Sequence, residues 1–72
     1  MGLVEDLALI AEKVDELKAA SDEITIHFSF NEISLGYDYQ IRASIPNAPA
    51  VQASSLDATE IVAFLDGILN QL

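Results

Sequence analysis

The chain has no cysteine, no tryptophan, one histidine and only three basic side chains. Without cysteine, disulfides and thiolate metal sites are both closed to it. A lone histidine is too little for an ordinary zinc site. The three glycines, Gly2, Gly36 and Gly67, stand isolated, so there is no phosphate-cradling loop and no calcium loop with glycine among Asp and Asn ligands. No apolar run approaches the roughly 20 residues of a membrane span. The expectation is a chain that carries no metal and no cofactor and has no membrane partner.

What is present is acid. Twelve Asp and Glu residues face three Lys and Arg, a formal charge of −9. Such a chain is repelled by phosphate backbones and anionic lipid, which argues against direct nucleic-acid binding. The charge is uneven. Residues 1–23 hold seven acids against Lys13 and Lys18, while residues 24–54 hold only Glu32 and Asp38 against Arg42. The start, Met1-Gly2-Leu3-Val4-Glu5-Asp6, places acids where a signal peptide needs bases. Asp6 also stands where a myristoylation motif wants serine or threonine. The reading is a cytoplasmic protein.

Seventy-two residues make one domain, 1–72, whose modest core leaves little stability in hand. With disulfides and metals excluded, self-association is the remaining support, and a homodimer is the expected form. The apolar share of 51% points the same way, although ten of those residues are alanine.

Periodicity divides the chain. Leu3, Leu7, Ile10, Val14 and Leu17 recur at spacings of four and three, predicting a helix over 3–20 with Glu5, Glu12 and Glu16 on its far side. Leu9 falls among those acids. Ile24, Ile26, Phe28 and Phe30 alternate with polar residues, as do Leu35, Tyr37, Tyr39, Ile41, Ala43 and Ile45, predicting strands over 23–30 and 35–45. Pairing Phe30 with Leu35 across an Asn31–Ser34 loop sets His27 opposite Asp38 and Glu23 opposite Arg42, both favourable cross-strand pairs. A tighter turn with Phe30 opposite Ile33 loses them, and Asn31-Glu32 is not the Asn-Gly that two-residue turns prefer.

Pro46 and Pro49 break the second strand, and 50–54 reads as a short third one whose pairing decides between a hairpin and a meander. Asp57 with Glu60 marks a capping box opening a helix over 58–71. Leu56 is placed to staple onto Ile61, and Ile61, Phe64, Leu65, Ile68, Leu69 and Leu72 form its buried stripe, with Asp66 outside. The fold class is therefore α+β, a two-layer α-β-β-(β)-α arrangement with two helices on one face of an antiparallel sheet. Tyr37 and Tyr39 suit either the rim of the core or an interface.

Chemistry is scarce. His27, Asp38 and Ser29 resemble a triad only on paper, because an open sheet face offers no pocket and no oxyanion hole. The chain reads as no enzyme, with no catalytic residues. Two functional readings remain. In the first, a small acidic interaction protein, an inhibitor or nucleic-acid mimic, engages a protein partner with a basic surface through Glu5, Leu9, Glu12, Asp15, Glu16 and Asp22. In the second, a homo-oligomeric structural or adaptor protein uses its acidity only to stay dissolved.

Overall fold

A computed structural model describes residues 2–72. Five elements follow one another: α1 (Leu3–Ala20), β1 (Thr25–Ile33), β2 (Gly36–Ser44), β3 (Val51–Ser55) and α2 (Ala58–Leu69). The strands form one antiparallel sheet in the order β1-β2-β3. It is an α+β fold, and the stretch after Pro49 does pair as a third strand. Among the described residues no helix is long and apolar enough to cross a membrane.

One hydrophobic cluster joins the layers. Ile10 and Leu17 of α1 meet Ile24, Tyr39, Ile41 and Ala43 on the sheet side, and Ala58, Ile61, Leu65 and Ile68 of α2 close the cluster. These are the positions that periods of 3.6 and 2 turn inward. The helix α2 packs on β2, β3 and α1, and α1 meets β2 where Asp6 bonds Tyr39. The opposite sheet face stays open, with His27, Gln40, Arg42, Gln52 and Ser54 exposed.

The hairpin register differs from both registers weighed above. Phe30 pairs with Tyr39, His27 with Arg42, and Ile33 with Gly36 across a two-residue loop of Ser34 and Leu35. His27 therefore does not face Asp38, which pairs with Asn31, and Glu23 lies before β1 rather than opposite Arg42. All three registers keep the same side chains on the same face, so the apolar pattern cannot choose among them. Two features choose here. Gly36 takes a φ of +141°, open at low cost to glycine alone, and so lets a short loop close without Asn-Gly. The register also pairs every residue of both strands, nine against nine. Leu35, expected inside, is 92% exposed at the loop.

The next turn is built from Ile45-Pro46-Asn47-Ala48. The Ala48 N–H donates to the Ile45 carbonyl at 3.3 Å, and Asn47 has a φ of +64°. Proline at the second position and a left-handed asparagine at the third are what a type II turn requires. It returns the chain so that Val51 meets Ala43.

At the start of α2 the capping box is rewired. Asp57 accepts from the Thr59 N–H at 2.9 Å and from the Thr59 hydroxyl at 2.7 Å. Glu60 does not reach back to the Asp57 N–H. That N–H donates to the Ser55 hydroxyl at 3.0 Å, and the hydroxyl donates to Glu60 at 2.6 Å. The two Thr59 bonds, the hydroxyl's first, hold the Asp57 carboxyl below its ordinary range. The cap is thus intact at neutral pH and is lost as pH falls through that lowered value. Leu56, expected to staple onto Ile61, is instead 62% exposed, at a helix entry held by the polar bonds of Ser55 and Asp57. Regular helix ends at Leu69, so Leu72 lies half-exposed beyond the stripe.

Gly67 is exposed within α2, and a Cβ there would meet nothing within 4 Å. Gly67→Ala is expected to raise the unfolding free energy by about 0.5–1 kcal/mol in urea titration. Gly36→Ala, at its positive φ, is expected to lower it.

Candidate acidic face of the first helix

Helix α1 forms because a run of leucine, alanine, glutamate and lysine has high helix propensity and no internal glycine or proline. Its inward stripe is fixed by Ile10 and Leu17, both buried. The outward row follows from that anchoring. Glu5, Leu9, Glu12 and Glu16 recur at spacings of four, three and four and span about 16 Å along the axis. All four are exposed, with Leu9 at 42%.

The remaining candidates stand apart from this row. Asp15 is exposed on the adjoining flank, roughly 60° round from Glu12 at about 100° per residue. Asp22 is exposed in the turn that follows the helix. Glu16 is partly neutralised, since Lys13 Nζ sits 2.8 Å from its carboxylate. Lys13 also reaches Asp66 of α2 at 3.2 Å, so Asp66 is no bystander outside the stripe but a tie between helices. Hydrogen bonds to Glu16 and then Asp66 raise the Lys13 pKa, which keeps the bridge charged across the neutral range.

One acid of α1 is spent inside. Asp6 accepts a 3.0 Å hydrogen bond from the Tyr39 hydroxyl, and Tyr39 is 1% exposed. Burial first, then the Asp6 carboxylate, pushes the Tyr39 phenol above its usual range. The signal was present in the sequence: Asp6 lies four residues before Ile10, on the inward row. Tyr39 is therefore core, while Tyr37 is half-buried among Phe30 and Tyr39, with ring centroids 5.9 and 6.4 Å away.

The open sheet face is the other extended surface of the molecule. His27, Ser29, Gln40, Arg42, Gln52 and Ser54 line a shallow depression there. The His27 imidazole stands beside a guanidinium, not a carboxylate, so the Ser-His-Asp arrangement does not assemble. Compared with protein-family models, curated proteins and solved structures, the chain matches none.

A phenol with a raised folded pKa stabilises the fold fully below its unfolded value near 10, and that stability is lost as pH rises through the folded value. Tyr39→Phe is expected to cost about 1–2 kcal/mol at pH 7 by removing the bond to Asp6. The variant's unfolding free energy is also expected to fall less steeply than the wild type's above about pH 10.

Proposed function

We propose that the chain is a non-catalytic interaction domain that docks the outer face of α1 on a basic protein surface. The observation that carries this reading is the row itself. Glu5, Glu12 and Glu16 surround the exposed Leu9 on one side of a helix whose other side is core. A leucine ringed by carboxylates has the make-up of a small docking patch, with one apolar anchor and charges that steer and orient.

Magnitudes favour a local patch over imitation of a whole nucleic acid. The molecule is 38 Å long and carries a net −9. A duplex of that length carries about 22 phosphate charges at one per 1.7 Å. Glu16 is further discounted by Lys13. A partner that reads a few carboxylates and a leucine fits this surface better than one built to grip a continuous backbone. Inhibition of such a partner is the biological consequence proposed, by occupancy of its basic surface.

Affinity capture from a lysate of the source cells tests the reading. The wild type is expected to retain a basic protein at low salt and release it as salt rises, since exposed charge pairs are screened. Glu5→Gln/Glu12→Gln/Glu16→Gln and, separately, Leu9→Ala should each abolish retention. Glu23→Gln/Asp38→Asn/Glu60→Gln, which removes the same three charges elsewhere, should not. Equal loss in the control variant would show that only total charge matters and would end the proposal.

A further inference from the structure

The edge of the sheet farthest from β3 is its least protected part. Strand β1 is a nine-residue edge strand, since β2 covers only one of its sides. Exposed edges are normally blunted by proline, lysine, a bulge or short length. The other edge, β3, has five residues and follows Pro49. β1 has no proline, lysine or bulge and only one charge, Glu32, and its ladder with β2 runs unbroken from Thr25 to Ile33.

The orientation of its free backbone groups can be worked out. A two-residue loop makes Ile33 and Gly36 a hydrogen-bonded pair, and such pairs alternate along the ladder. Asn31, Ser29 and His27 therefore spend their N–H and C=O groups on β2. Ile26, Phe28, Phe30 and Glu32 turn theirs toward solvent. Four donors and four acceptors line one open edge.

We propose that β1 is the seam of a homodimer, pairing antiparallel with β1 of a second copy about a two-fold axis at Ser29. Only this register overlaps the strand over its whole length. It sets Phe28 opposite the partner's Phe30 in a hydrogen-bonded pair, and Ser29 opposite the partner's Ser29. The two sheets become one of six strands with all four helices on the same side. Phe30, 39% exposed in one chain, is then covered by its counterpart's aromatic neighbours.

Charge permits a second copy as the occupant. Among the nine residues of β1 only Glu32 is acidic, so two chains of −9 can meet there with little local repulsion, and the five-residue β3 offers too short an edge to compete. On α1, the flank turned away from α2 is found by counting from Lys13, which faces Asp66. Val4 lies about 180° from Lys13, with Ala11 and Lys18 within about 40° of it and Asp15 the one acid among them. Val4 is 80% exposed. Lys18 makes no ion pair among the described residues. It stands at the end of α1 where β1 begins, and the antiparallel register brings the partner's Glu32 to that same end.

The dimer and the α1 docking patch answer salt in opposite senses. Association of two like-charged chains strengthens as salt screens them, whereas binding to a basic partner weakens. Sedimentation at tens of micromolar is expected to give a two-chain mass, more completely at high salt. Ser29→Glu, exposed and harmless to one chain, places two carboxylates across the axis and is expected to weaken association about tenfold or more. Because the chain lacks cysteine, Ser29→Cys gives an independent reading. Paired residues there lie about 4.5 Å apart between Cα atoms, within disulfide reach, so mild oxidation should link the two copies. Ser54→Cys, on the outer face of β3, should not link them. A one-chain mass at every salt concentration, or linkage through Ser54 as readily as through Ser29, would overturn the seam.

Discussion

One plane of contact, between the inner face of the sheet and the two helices, decides where everything else can be. A chain this short has few large side chains to bury, and Tyr39, Ile41, Ile10, Leu17, Ile61 and Leu65 are all committed to that plane. Nothing is left to build a second layer on the other sheet face. Twelve carboxylates must then lie on the outside or be matched within. Asp6 is turned toward the core, where the Tyr39 hydroxyl meets it, and no buried side-chain polar atom among the described residues lacks a partner. The outward row of α1 is thus a direct consequence of the inward row.

Much of this was legible before any coordinates. Alternating spacings of four and three marked α1 from Leu3 to Ala20, and Asp57 marked the start of α2. Strand parity placed Phe28, Tyr39 and Ile41 inward. The register was not legible, because shifting a hairpin by two or four residues leaves every side chain on its own face. What settled it was a positive φ at Gly36 and the full-length ladder it permits, both properties of the closed hairpin. The favoured His27–Asp38 pair was local charge logic, overridden by the ladder as a whole. At α2, Ser55 came between Asp57 and Glu60 because a turn brought its hydroxyl there, which no spacing rule contains.

The candidate face was legible in part. Helical spacing was enough to place Glu5, Leu9, Glu12 and Glu16 in one row and Asp15 beside it. The partial neutralisation of Glu16 could be read there too, since Lys13 stands three residues before it on the same helix, whereas the second contact of Lys13, to Asp66 on the other helix, could not. Glu5, Glu12, Asp15 and Asp22 make no ion pair among the described residues and are left as the open part of the surface. The open edge of β1 was equally hidden, because which strand lies outermost depends on β3 pairing with β2 and not with β1.

The row also carries a cost that burial does not explain. Glu12 stands three residues before Asp15 and four before Glu16, and each like-charge pair at those spacings weakens a helix by about 0.2–0.5 kcal/mol. A fold arranged for stability alone would place a neutral residue at this position. The thermal midpoint of Glu12→Gln therefore tests most directly whether these carboxylates act outward. A midpoint equal to or above that of the wild type is the expected result, and a clear fall would show that Glu12 holds the helix together and contradict the account.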